Sequence, residues 1–248
     1  MNEMQHGEPG GEHFGGHGAP GGLAISVAGY TLAIGSKTFE ANREQVFEFR
    51  ILDQAGRAVR EFDQQHGERM HLIVVRRDLA HYQHLHPSLG ADGTWATSLA
   101  LPEPGVYRAF ADFSVDGEAL TLGADLWVPG NLQFVRLPDP TGVAHAEDYE
   151  VTLEAGALAA GSENSLAFRI ALRGQAIEQL EPYLGALGHL VALREGDLAF
   201  LHVHPTGGDG ARLTFHAVFP SIGRYRMFLQ FAHTGRVRTA DFTVDVSP

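Results

Sequence analysis

The stretch MHLIVVRRDLAHYQHLHP, residues 70 to 87, returns 118 residues later as GHLVALREGDLAFLHVHP, residues 188 to 205. Without a gap, His71, His84 and His86 of the first copy stand where His189, His202 and His204 stand in the second. Each copy reads as a β-hairpin: a run of β-branched and aliphatic residues, a polar turn, and a second short run ending at proline. A hairpin repeated at this distance makes the unit of the fold a domain of roughly 100 residues, present twice.

The duplication extends outward on both sides. Pro102, Gly105, Tyr107, Arg108, Phe110 and Phe113 recur as Pro220, Gly223, Tyr225, Arg226, Phe228 and Phe231. Tyr30 and Phe49-Arg50-Ile51 recur as Tyr149 and Phe168-Arg169-Ile170 at an offset of 119, and Ala124-Asp125-Leu126 as Ala240-Asp241-Phe242 at 116. In the first copy, strands are predicted at Tyr30 to Ile34, Gln45 to Leu52, Met70 to Arg76, His81 to His86, Trp95 to Leu101, Val106 to Phe113 and Leu120 to Val128. Seven short strands in about 105 residues point to a sandwich. The Gly-x-Tyr at Gly105 and Gly223 fits the tyrosine corner of immunoglobulin-like domains, its hydroxyl bonding the backbone of the preceding loop. The expected architecture is all-β: a tandem duplication of an immunoglobulin-like antiparallel β-sandwich with a disordered N-terminal tail. The boundaries read as a Gly/His-rich tail over 1–22, one sandwich over 23–130, a linker over 131–147 marked by Pro138 and Pro140, and a second sandwich over 148–248.

Composition narrows the chemistry. The chain has 248 residues, 18 basic and 30 acidic, for a formal charge of −12, which disfavours nucleic acid and favours cations. It has no cysteine, so disulfides, thiolate metal sites and cysteine nucleophiles are excluded. No run approaches the roughly 18 apolar residues of a transmembrane helix. The start, MNEMQHGEPGGEHF, lacks the pattern of a signal peptide.

In the hairpin, a turn through Arg194-Glu195-Gly196-Asp197 sets His189 across from His202, and the same register sets His71 across from His84. His204 and His86 follow at i+2 on the same face. Three imidazoles that converge this way can hold a divalent ion, and a donor set of nitrogen and oxygen alone suits Cu(II) or Zn(II). The expectation is one three-histidine site per repeat: His71, His84 and His86, and His189, His202 and His204. The competing reading makes these histidines structural, part of an interaction module, because the same face carries Ile73, Val75 and Tyr82, or Val191, Leu193 and Phe200. Asp63 and Glu181, equivalent in the two copies, are weaker candidates for an oxygen ligand or for a partner orienting an imidazole. His66, His81, His145, His216 and His233 have no histidine counterpart in the other copy and read as surface or packing residues. His6, His13 and His17 of the tail can hold metal only loosely. No nucleophile elbow, phosphate loop or His-Glu-x-x-His helix is present, so no catalytic residue is assigned and the chain is not expected to be an enzyme. The enzymatic alternative is a cupin-like metal-dependent oxygenase, whose usual glutamate after the second histidine is missing here.

With Met70-His71-Leu72, His84-Leu85-His86-Pro87 and Pro-x-x-Gly-x-Tyr-Arg-x-Phe-x-x-Phe in view, the chain resembles exported two-domain β-sandwich proteins of bacteria, mainly actinobacteria, often filed as secreted or heavy-metal-binding proteins. It is more loosely similar to YtkA-like and copper-handling sandwiches. The resemblance implies a protein of the cell envelope, secreted or anchored upstream of the tail, that sequesters, delivers or resists metal ions, with an envelope protein as a possible partner.

Overall fold

The computed structural model describes residues 20–65, 67–203 and 205–248, with residues 202, 205 and 209 described by their backbone alone. The first repeat contains β1 (Ser26–Val27), β2 (Tyr30–Ile34), β3 (Glu44–Leu52), β4 (His71–Arg76), β5 (Gln83–Leu85), β6 (Ser88–Leu89), β7 (Trp95–Ala100), β8 (Gly105–Val115) and β9 (Glu118–Val128). The second contains β10 (Val143–Ala146), β11 (Tyr149–Glu154), β12 (Leu158–Ala159), β13 (Glu163–Leu172), β14 (Gln175–Ala176), β15 (Gly188–Arg194), β16 (Phe200–Val203), β17 (Pro205–Asp209), β18 (Arg212–Val218), β19 (Gly223–His233) and β20 (Arg236–Ser247).

Each repeat is an immunoglobulin-like sandwich of two open sheets. In the first, β1-β2-β3-β7-β6 faces β5-β4-β8-β9; in the second, β10-β11-β13-β18-β17, with β14 added to β13, faces β12-β20-β19-β15-β16. Two open sandwiches give no closed barrel around the histidines, so the cupin-like alternative loses its scaffold. The tyrosine corner forms in both repeats. Tyr107 donates to the Glu103 carbonyl at 2.9 Å and Tyr225 to the Ser221 carbonyl at 3.0 Å, and both rings are fully buried.

Burial patterns show where the two repeats meet. Along β3, Phe47, Phe49 and Ile51 are buried while Glu48 and Arg50 between them are exposed, the alternation of a sheet with one wet face. Along β4 all six residues are buried, so both faces are covered. Leu72 and Val74 enter the first repeat's own core with Phe49, Trp95 and Leu122. Ile73 and Val75, on the other face, enter a separate cluster with Phe110, Val191, Leu193 and Phe228. The four-stranded sheet of the first repeat therefore packs back to back against the β15–β16–β19–β20 sheet of the second. The contact repeats itself: Tyr82 stacks on Phe228 with centroids 4.0 Å apart, and its counterpart Phe200 stacks on Phe110 at 5.1 Å. An isologous pairing of two duplicated sheets produces this pattern.

Two boundaries differ from the sequence reading. Val143–Ala146, inside the stretch read as linker, forms β10 and pairs with β11 from Val143 opposite Thr152 to Ala146 opposite Tyr149. Its alternating burial is short, and the neighbouring prolines mask it. Residues 1–19 of the expected tail lie outside the described residues, but Gly21 and Gly22 are built into the body. The Gly22 amide donates to the Thr121 carbonyl at 2.9 Å, and Gly21 bridges to Phe200. Glycine permits this, because a Cβ on Gly22 would lie 2.4 Å from the Phe110 ring.

Candidate metal centre

His71 opens β4, His84 lies in β5 and His86 follows it. The hairpin register is two residues away from the expected one: Ile73 is opposite His84 and Leu72 opposite Leu85, as Val191 is opposite His202 and Leu190 opposite Val203 in the second repeat. The turns are longer than the sequence reading assumed, since Leu79 and Leu198 take positive φ angles of 65° and 62° and sink toward the interface. A shift of two preserves the side-chain parity, so the histidines keep their common face.

On that face the first triad is close. The ring centroids lie 5.2 Å apart for His71 and His84, 5.1 Å for His71 and His86, and 4.7 Å for His84 and His86. One ring nitrogen from each lies within 4.8 Å of the others. His189 of the second repeat joins them, 6.3 Å from His71 and 6.1 Å from His84 between centroids. Of the expected sites, one per repeat, the first triad forms, and the face-to-face packing brings His189 of the second repeat beside it, so that these four histidines form one cluster between the repeats. His202 is placed by its backbone on β16, and its side chain, like the whole of His204, lies outside the described residues.

Hydrogen bonds on the outer side of the rings set their direction. His71 Nε2 lies 3.4 Å from the Gln65 carbonyl, and His189 Nε2 lies 3.0 Å from the Tyr183 carbonyl, the same contact in both copies. His84 Nδ1 lies 2.6 Å from Gln230 Oε1, contributed by β19 of the second repeat. Carbonyl oxygens accept, so each of these ring nitrogens donates. With both outer nitrogens donating, the inner nitrogens of His71 and His84, Nδ1 and Nε2, meet as two acceptors 2.9 Å apart; in the other tautomers one of them donates to the other. Two lone pairs at that distance repel unless a cation lies between them, and either a proton or a metal ion relieves it. For nitrogens ~2.1 Å from an ion, 2.9 Å is about the separation expected at a right angle, while nitrogens at the 4.8 Å limit of the triad must close by roughly 0.6 Å to lie across an ion from each other and by roughly 1.4 Å to bind it tetrahedrally. The residues fit a divalent ion once the rings turn inward by that amount.

The phenols nearby stay protonated. Burial pushes Tyr183 up, with the Glu68 carboxylate adding to it, and burial pushes Tyr82 up strongly. Neither supplies a phenolate near neutral pH. Asp63 and Glu181 are not part of the cluster. Asp63 accepts from Ser114 Oγ at 3.0 Å and from the Gly117 amide at 2.8 Å; Glu181 accepts from the Gly235 amide at 2.8 Å. They cap the β8–β9 and β19–β20 turns, which explains their equivalence in the two copies. His81 pairs with Glu103, His216 with Glu163, and His233 with the Tyr149 hydroxyl, while His145 is exposed on β10 and His66 lies outside the described residues. Gln230 was missed by sequence reasoning. Its signal was a polar residue on the same face as Phe228, at the position where the first copy has Asp112.

Two consecutive matches to one family model, described as domain of unknown function (DUF8832), cover residues 25–130 and 144–248. No match was found among curated proteins. Among solved structures, the Escherichia coli adhesin FdeC is 12% identical, with 91% of this chain and 66% of that chain covered, at a TM-score of 0.32. A Salmonella alpha-2-macroglobulin mutant is 14% identical over 95% of this chain and 15% of that one, at 0.32. A two-domain fibronectin type III segment of chicken tenascin is 11% identical over 86% and 97%, at 0.26. This chain spans less than two thirds of the first two, and likeness at this level carries no argument about function.

Proposed function

We propose that this chain, which belongs to the family described as domain of unknown function DUF8832 and carries that domain twice, is a non-enzymatic metal-binding protein. Its histidine cluster between the repeats holds one Cu(II) or Zn(II) ion. The observation that carries the reading is the pair His71 Nδ1 and His84 Nε2, turned toward each other at 2.9 Å while their outer nitrogens donate to Gln65 and Gln230. His86 is the third ligand, and His189 stands beside the triad as a candidate fourth. The net charge of −12 draws cations. The role that suits such a site is sequestration, delivery or resistance at the cell envelope, with an envelope protein receiving the ion. That last step is supported by the sequence resemblance alone.

The test is calorimetric titration with Cu(II) and Zn(II) of the full chain in which His6, His13 and His17 are replaced by alanine. One ion per chain, bound more tightly than about 10 μM, is expected, and His84→Ala should weaken it more than ~100-fold with the fold intact. Two equal sites, or none, would sink the reading. A second reading has its own observation: His71 and His189 are both 1% exposed and bonded to backbone carbonyls. On that reading the repeats form an interaction module with structural histidines, and His84→Ala would lower stability without any metal to lose.

A further inference from the structure

We infer that Gln230, a residue of the second repeat, is the positioning residue that fixes the tautomer of His84 in the first, so that the ion is held only when the two repeats are docked. The inference rests on the metal reading of the same site and adds which residue makes that site depend on both repeats.

The geometry carries it. Gln230 is 7% exposed and lies on β19 directly opposite His189 of β15, so its side chain shares the interface face. Its amide is oriented from behind: Nε2 donates to Thr239 Oγ1 at 3.3 Å, which leaves Oε1 to face His84 Nδ1 at 2.6 Å. An acceptor at Nδ1 keeps the proton there and presents Nε2 to the ion. Without it, an imidazole prefers the proton on Nε2, the nitrogen His84 turns toward His71. Within the first repeat alone, His84 keeps its ring contacts to His71 and His86 but loses the acceptor that sets its proton. Separation of the sheets therefore releases the lock on the ligand without breaking the first repeat's own core. An ion-delivering protein gains from such a site, because docking and ion retention become one equilibrium.

The experiment uses the full chain, labelled with ¹⁵N and observed at about pH 8, where ordinary imidazoles are neutral. Long-range ¹⁵N–¹H spectra report which nitrogen of His84 carries the proton, both metal-free and with Zn(II) added. The expected result is Nδ1–H for His84 in both states, with Nε2 shifted by zinc. Gln230→Met, which keeps the volume and removes the acceptor, should turn metal-free His84 to Nε2–H and weaken Zn(II) by ~10 to 100-fold. Gln230→Glu, which restores an acceptor, should return both. Thermal unfolding of each variant separates this from loss of fold, which a structural role alone would produce in Met and Glu alike. An Nε2–H proton on His84 in the unmodified chain, or a Gln230→Met chain that binds zinc as before, overturns the inference. Should Nδ1–H be found while zinc fails to bind at all, the positioning role stands and the metal reading falls.

Discussion

Arg108 of the first repeat and Arg226 of the second occupy the same place in the interface sheets, but they are held differently. Arg108 donates to the Gly22 carbonyl at 2.6 Å and the Leu23 carbonyl at 2.9 Å, besides its bond to Asp125 at 3.1 Å. Arg226 bonds Thr243 at 2.8 Å and Asp241 within its own repeat. The same divergence recurs at the other end of the hairpin. Arg76 is 1% exposed and binds Asp78 at 2.9 Å, Glu103 at 2.7 Å and the Gln133 carbonyl of the linker at 3.0 Å. Its counterpart Arg194 is partly exposed and binds Asp197 and Ser221. What the repeats share is the stacked rings and the histidine hairpin, which make the interface. What differs is which repeat anchors the chain that flanks it: Arg108 holds the segment entering the first repeat and Arg76 the linker leaving it.

The largest expected effects test the shared part. Phe110→Ala and Phe228→Ala each remove a fully buried ring from one of the two equivalent stacks, and each should cost about 3 to 5 kcal/mol in urea unfolding. Comparable losses would show that the two halves of the interface are equivalent. A loss below ~1 kcal/mol for either would show that its half is not packed.

The arginine pairs test the divergent part. Asp78→Asn leaves a buried guanidinium short of one partner and should cost about 3 kcal/mol, whereas Asp197→Asn at the more exposed pair should cost less than ~1. Burial pushes the Asp78 carboxyl up, but bonds from Arg76 and the Val135 amide outweigh this and hold it below the ordinary carboxylate range. A depressed folded value means stability present above the unfolded pKa, about 3.9, and lost as the pH falls through the lower folded one. Acid unfolding below about pH 4 should therefore flatten in Asp78→Asn more than in Asp197→Asn.

The strands and the histidine face were legible because they depend on local periodicity. Alternation in Gln45 to Leu52 gave β3, and even a register misread by two residues kept His71, His84 and His86 together, since only an odd slip reverses a face. The covering of that face was not legible. Ile73, Val75 and Tyr82 announced an apolar surface, and nothing in their spacing distinguishes a sandwich core from the back of a sheet that another domain covers. For the same reason the approach of His189 to the first triad was not legible, and Gln230, which acts across the boundary, was passed over. Turn length also escaped, because Leu79 and Leu198 adopt positive φ, which residue type disfavours and packing imposes.

A smaller effect is expected where the chain enters each repeat. Gly22 has φ +74° and would set a Cβ 2.4 Å from Phe110, while Gly142 has only the Leu153 carbonyl at 3.6 Å. Gly22→Ala should cost about 1 to 3 kcal/mol by forcing the strap off the interface, and Gly142→Ala should be neutral within ~0.5. Equal effects on the thermal midpoint would show that the strap contributes nothing to docking.

The smallest effect concerns a charge that separates equivalent positions beside the site. Asp112 lies opposite His71 in the β4–β8 pairing, is 8% exposed, and accepts from Thr121 at 2.7 Å, as Gln230 lies opposite His189 and bonds Thr239. A carboxylate there adds attraction for a cation at the cluster that its neutral counterpart cannot. Asp112→Asn keeps the shape and removes the charge, so Zn(II) affinity should fall by on the order of 1 kcal/mol, roughly fivefold. The drop should persist as salt is raised, because a buried charge pair is screened far less than a surface one. An unchanged affinity would place the ion beyond the reach of Asp112, and the asymmetry between the repeats would then belong to their packing and not to their chemistry.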